Sequence, residues 1–436
     1  MRPGILAHGQ GRCEGLTRAT TDSAPAAGTA AGHSAQGAES RILLAAAVRN
    51  FGLGLVSVVV ALAWRRDGLP PAAIGGLFTL ALAAGGGSSA LAGPWTARIG
   101  RRSLLTTLAG LMAVGGLLLA LGRPLWLLVL AAAAATFSPS GKDVGGMLPV
   151  EQAALAELAP AARRTAVYAR YNVLGTLAGA LGALAAGALP VLAKSGLGLA
   201  GAQRAAFGLY AVAGLVLAGL YRTLPPAVEG ARGGGHPAER GRLGQSRPVV
   251  LRLTALFGVD ALAGGLVVQG ILALWFHERF AVGLGLLGPL FFLTNLAAGL
   301  SLLAAAPLAR RFGLLNTMVF THLPSNVLLL LVAFAPSFPL AAALLVARSL
   351  LSQLDVPTRQ AYTMQLVEPE ERGAAAGVTA SVRGISQAVA PTVTGWAMAS
   401  AAAGLPLLLA GGLKAVYDLA LYAVFRRVPV PGGGRG

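Results

Sequence analysis

Of 436 residues only 11% are charged, 55% are hydrophobic, and the net charge is +18. Soluble domains carry about 25% charged residues, so this chain cannot clothe a water-soluble surface. Its basic residues are scattered in short loops between apolar runs, which argues against a nucleic-acid-binding face, and the single cysteine, Cys13, excludes a disulfide framework or a cysteine metal site.

Residues 1–40 are mostly Gly, Ala, Ser and Thr with scattered charges and no apolar run, so a disordered tail is expected there. The stretch lacks the continuous apolar region of a signal peptide. Twelve apolar spans follow, at 42–64, 71–93, 103–121, 124–141, 170–193, 204–222, 253–275, 284–305, 315–334, 338–356, 373–396 and 403–425. Each approaches the 20 residues a helix needs to cross about 30 Å of hydrocarbon. The long loop 223–252, rich in Pro, Gly and Arg, divides them six and six. The sequence therefore predicts an all-α membrane protein of twelve transmembrane helices in two six-helix pseudo-symmetric halves, 41–222 and 253–428, with a short tail at 429–436.

Two internal echoes support that division. Val356-Pro357-Thr358-Arg359-Gln360-Ala361 lies over Leu148-Pro149-Val150-Glu151-Gln152-Ala153 at an offset of 208, which also sets Arg372 on Arg164. Gly93-Pro94-Trp95-Thr96-Ala97-Arg98-Ile99-Gly100 lies over Ala306-Pro307-Leu308-Ala309-Arg310-Arg311-Phe312-Gly313 at an offset of 213. Two matches at nearly one offset imply a chain built from related halves, a plan that in membranes belongs to repeat-built transporters. Of the 34 Lys and Arg, 24 fall on the side that carries both termini and 6 in the loops opposite, which places both termini in the cytoplasm. Arg65-Arg66 runs against that rule.

Twelve spans in two halves, with Gly93, Arg98, Gly100, Arg101 and Arg102 after the second, resemble the major facilitator superfamily and its loop pattern G-x-L-A-D-R-x-G-R-R. Ala306, Arg311 and Gly313 are a weaker second copy. The resemblance implies a secondary transporter that alternates access around a site between the halves, a small-molecule substrate, no cofactor, a bacterial inner membrane location and a monomer. Ala97 stands where the pattern has its acid, so the cytoplasmic latch must be absent or supplied elsewhere. No Walker loop, His-Glu-x-x-His or Gly-x-Ser-x-Gly is present, and no enzyme activity is expected.

A charge in hydrocarbon costs at least about 2.5–3.5 kcal/mol and must face protein or water. Arg49, Asp260 and Arg348 are read as pathway residues, because the resemblance places the first, seventh and tenth spans around the cavity. Arg49 and Asp260 share a depth and are expected to pair across the halves, so that an anionic substrate displacing Arg49 lets Asp260 take a proton. Arg383 is expected to pack against neighbouring helices, Lys414 and Asp418 to neutralise each other one turn apart, and His322 to be structural. The cytoplasmic gate is assigned to Arg98, Arg101, Arg102, Asp143, Glu151, Asp355, Arg359 and Arg372, with Glu151 and Arg359 meeting when the inside closes. Three arginines against one aspartate among the intramembrane charges hint at an anionic or zwitterionic substrate. The expected mode is proton-coupled export, with uptake, facilitated diffusion or a non-transporting scaffold as alternatives.

Overall fold

The computed structural model describes residues 25–122, 124–134, 137–229, 243–399 and 404–427, and among them there is helix, turn and loop but no strand. The first half runs α1 (Pro25–Arg66), α2 (Pro71–Ile99), α3 (Arg101–Leu121), α4 (Leu125–Ala133), α5 (Met147–Leu158), α6 (Arg164–Ala186), α7 (Leu189–Leu192) and α8 (Gly198–Arg222). The second half runs α9 (Arg247–Gly265), α10 (Gln269–Phe280), α11 (Leu284–Phe312), α12 (Leu314–Phe334), α13 (Phe338–Leu351), α14 (Asp355–Leu366), α15 (Arg372–Ala399) and α16 (Leu405–Phe425). Nine stretches among the described residues are by themselves long and apolar enough to cross a membrane. One of them, Arg164–Arg222, holds both α6 and α8, and the broken fourth span and α15 complete the twelve tracks read from the sequence.

Three tracks are interrupted at mid-depth. The fourth was expected as one helix over 124–141, but α4 stops at Ala133 and the chain turns through Ser138-Pro139-Ser140-Gly141, with Gly141 at φ +70°, before α5. Proline cannot donate within a helix and glycine takes the left-handed conformation without strain. The seventh breaks after Gly264-Gly265, where Val268 is extended. The freed N–H of Gly270 then donates to the Pro139 carbonyl at 2.8 Å, so one break satisfies the other. The tenth breaks at Ser352–Leu354, and α14 carries the charged segment that follows, with Pro357 tolerated in its first turn. At the other end α1 begins at Pro25, so 25–40 is helical where an unstructured tail was expected. Residues 1–24, 230–242 of the central loop and the terminal segment 429–436 lie outside the described residues.

The halves pack through α2 against α15, α6 against α11 and α1 against α10. Two of these seams are bare backbone. A Cβ on Gly75 would stand 2.2 Å from the Pro391 carbonyl, and one on Gly288 2.4 Å from the Gly187 nitrogen. Call the end that carries Arg101 and the two described chain ends the basic face, and the end that carries Arg65 the far face. The largest apolar core joins both halves toward the far face, where Trp64 packs on Phe78 and Phe137 and Trp275 on Phe276. Toward the basic face the second half keeps separate cores, around Leu253, Phe257 and Tyr417 and around Val250, Val367 and Ala375.

Candidate functional site

Each half buries one ion cluster. In the first, Arg49 of α1 is 1% exposed and sets Nε 2.7 Å from Asp143 and Nη2 2.6 Å from Glu151. Tyr171 of α6 and Tyr221 of α8 accept from Arg49 at 3.0 and 3.1 Å and donate to Glu151 at 2.7 and 2.5 Å. Both oxygens of the buried Glu151 thereby have donors, two at Oε2 and one at Oε1. That is the condition under which an ion pair survives burial.

The second cluster is centred on Asp260 of α9. Lys414 of α16 lies 2.5 Å away, Arg383 of α15 3.0 Å and Arg359 of α14 3.1 Å, and Arg359 also holds Asp355 at 2.7 Å. Its guanidinium carbon sits 5.5 Å from the centroid of the Phe257 ring. His322 of α12 places Nδ1 2.9 Å from Asp418 and Nε2 4.0 Å from Asp260, while Asn326 donates to Asp418 at 2.8 Å.

These contacts correct three expectations. Arg49 and Asp260 do not meet, because each is claimed inside its own half. Glu151 and Arg359, expected to meet when the inside closes, are bonded in this state to Arg49 and to Asp260. Lys414 reaches across to Asp260 instead of turning back to Asp418, which takes His322 instead. Arg383 does not merely pack but joins the ion cluster. The repeat offset explains the pattern. Arg49 with Glu151 and Asp260 with Arg359 are the same helix pair in each half, with the charges exchanged.

Between the clusters lies a cavity of about 460 Å³. Lys142, Arg348, Arg359, Arg383 and Lys414 face it against Asp143, Asp260 and Asp355, an excess of two positive charges, and His322 completes the wall. Of the expected pathway residues, Asp260 and Arg348 line it and Arg49 does not, being buried behind Asp143. The sequence undervalued Arg383, Lys414 and His322 and passed over Lys142. Their signal was present, since each is a titratable group within or at the edge of an apolar span.

The cavity is sealed on the far side. Arg65 of α1 meets Glu278 of α10 at 2.5 Å, and Gln269 donates to Ser57 at 2.8 Å. On the basic face the ion pairs Arg101–Glu157 and Arg163–Glu39 each stay within the first half. Arg102 donates to the Arg222 carbonyl at 2.7 Å, Arg372 to the Met364 carbonyl at 3.0 Å, and Arg98 is exposed. The residues assigned to a gate thus brace each half separately in this state.

No acid stands at Ala97, but a carboxylate from another segment caps the helix that follows. Glu229, just after α8, accepts from the backbone N–H groups of Arg101 and Arg102 at 2.8 and 3.2 Å, capping α3 where Gly100 turns at φ +83°. Glu371 accepts from the N–H groups of Gly244, Gln245 and Ser246, in the turn that leads into α9. Desolvation pushes the Glu371 carboxyl up, but these N–H groups and the Ser246 hydroxyl hold it below its ordinary range. Removing a helix cap costs about 0.5–2 kcal/mol. Glu229→Ala is therefore expected to lower the melting temperature of the purified protein by a few degrees, and Glu229→Gln by less. An unchanged melting temperature in both would show that the cap carries no stability.

The model of the Major Facilitator Superfamily matches residues 42–391. An uncharacterized membrane protein of Saccharomyces cerevisiae, YJR124C, is 27% identical over 358 residues, covering 75% of this chain and 80% of that protein. Among solved structures, the nucleoside transporter NupG superposes with a TM-score of 0.70 at 15% identity, covering 89% of this chain and 99% of that one. The xylose transporter XylE from E. coli, in its inward open conformation, gives 0.69 at 16% identity, covering 91% and 97%. The human organic anion transporter MFSD10 gives 0.59 at 18% identity, covering 89% and 99%.

Proposed function

Because this chain belongs to the major facilitator superfamily, we propose that it is a secondary transporter that carries a small organic anion together with a proton through the central cavity. The observation that carries this reading is the cavity wall itself, with five cationic side chains against three carboxylates. In a site of low dielectric such an excess selects a negative solute. By the same logic a group that gains positive charge there strengthens anion binding, and linkage makes the effect mutual. His322 is that group. An imidazole can hold or release a proton at either ring nitrogen, and its Nε2 faces Asp260 across 4.0 Å at the cavity wall. Asp260 was the expected proton acceptor, released by the departure of Arg49. That route has no basis here, since Arg49 belongs to the other cluster.

Binding proton and anion together makes co-transport the natural mode, and an inward proton gradient then drives uptake. The second reading, favoured by the sequence, is export in exchange for protons. A test separates them by sign. In proteoliposomes loaded with a panel of carboxylates, acid outside is expected to drive accumulation, whereas proton exchange drives extrusion under the same gradient. His322→Gln is expected to lower gradient-driven flux at least tenfold while leaving anion–anion exchange measurable. Full gradient dependence in a stable His322→Gln protein would remove His322 from the proton route. No flux of any anion would return the chain to the scaffold reading.

A further inference from the structure

Three of the five cavity cations are already engaged. Arg359, Arg383 and Lys414 all bond Asp260, and Arg359 holds Asp355 as well. Two are not. Among the described residues neither Lys142 nor Arg348 has a carboxylate within ion-pairing distance, and the Arg348 Nε is buried with no hydrogen-bond partner. One comes from each half. Lys142 leaves the first half at the break between α4 and α5, and Arg348 leaves the second half in the last turn of α13.

Resting on the anion-carrier reading above, we propose that Lys142 and Arg348 are the anion-binding pair, gripping one carboxylate or phosphate group between the halves, with Gln353 beside it. The chemistry of the two residues suits that division. A guanidinium presents a planar fork to two oxygens, while an ammonium on a flexible stem follows the third direction. Lys142 is exposed to the cavity and is already drawn across it, its Nζ lying 3.4 Å from the Gln353 Oε1. Its loop is anchored behind it, because the Pro139 carbonyl takes the Gly270 N–H. Asp355, the carboxylate facing the same region, is occupied by Arg359 at 2.7 Å.

The placement has a mechanical consequence. Closing the basic face draws the fourth and tenth tracks together, and with them two like charges. A bound anion turns that repulsion into attraction on both sides, so it binds the closed arrangement better than the open one, which is the condition for a ligand to shift a conformational equilibrium. Lys142 and Arg348 are thus both the specificity and the trigger.

The test uses the full chain in lipid nanodiscs with succinate, benzoate and inorganic phosphate as probes, reading affinity from the rise in melting temperature with concentration. At least one probe is expected to bind the wild type, and Lys142→Gln and Arg348→Gln are each expected to weaken it at least tenfold. Lys142→Arg keeps the charge and is expected to retain binding within a few-fold, which controls for misfolding. Wild-type affinity in both charge-removing variants overturns the pair while leaving anion transport standing. A wild type that binds none of the probes, and moves none in proteoliposomes, overturns the pair and the transport reading together.

Discussion

Asp260→Asn is expected to destabilise the protein by about 3–5 kcal/mol, the usual cost of removing one side of a buried ion pair. The reason is arithmetical. Asp260 is the partner of Arg359, Arg383 and Lys414, and only Arg359 has a second carboxylate, Asp355. The substitution leaves two cations facing a cavity wall with nothing to neutralise them. Arg49→Met is expected to cost a similar amount for the opposite reason, leaving Asp143 and Glu151 opposed. The double variant decides between two geometries. Were Arg49 and Asp260 partners, losing both would compensate. In separate clusters their costs add to within about 0.5 kcal/mol. Removing Lys414 along with Asp260, as Lys414→Met, is instead expected to recover part of the loss. Melting curves of the singles and both doubles settle the matter, and compensation between Arg49→Met and Asp260→Asn would refute the separation.

The second large effect is expected at Gly270, at the far seal. A Cβ there stands 2.9 Å from the Phe78 Cε2 and 3.1 Å from the Ser57 carbonyl. Phe78 is fully buried against Trp64 and Phe137 and has nowhere to move, while the Ser57 carbonyl is backbone. Overpacking costs about 1–3 kcal/mol, and here the cost falls on the conformation closed at the far face. Every 1.4 kcal/mol is about tenfold in population. Gly270→Val is thus expected to open the far face by about five- to a hundred-fold. With Cys13 replaced by Ser and a single Cys at Leu272 in the cavity, a membrane-impermeant maleimide is expected to label faster from the far face and slower from the basic face. Unchanged labelling from both sides in a folded protein would show that the seal does not limit opening.

Most of the architecture was legible because it depends on lengths. Runs of about 20 apolar residues, a basic central loop and two echoes near one offset give twelve tracks in two halves with no knowledge of contacts. The breaks were less legible. Pro139 and Gly141, or Gly264 and Gly265, are helix breakers in soluble chains, but membrane helices often contain both residues unbroken. The ion clusters were least legible. Most of their members were singled out, yet Arg49 and Asp260 were matched to each other across the halves and not to the partners each has within its own half. Depth can be counted along a helix, but the face a side chain takes depends on packing against residues 90 or more positions away, as with Arg49 and Glu151 or Asp260 and Lys414. His322 and Lys414 were set aside for the same reason. Each looked locally satisfied, His322 by its peripheral span and Lys414 by Asp418 one turn on, until the fold turned them to the cavity.

The closure of each ion cluster within its own half bears on how the chain enters the bilayer. Synthesis delivers Arg49 first, with no counter-ion on its own helix, and its partners Asp143 and Glu151 emerge about a hundred residues later. By the time α8 is complete, Tyr171 and Tyr221 have joined them, and the ion cluster around Arg49 waits for nothing in the second half. The same holds in turn for Asp260, whose cations all follow it on α14, α15 and α16. A ribosome feeding this chain to an insertion machine therefore releases two bundles in succession, each with its buried ion cluster complete. Their assembly then rests on the fit of glycine-lined backbones at Gly75 with Gly395 and Gly187 with Gly288, with Arg65–Glu278 and Gln269–Ser57 added at the far seal.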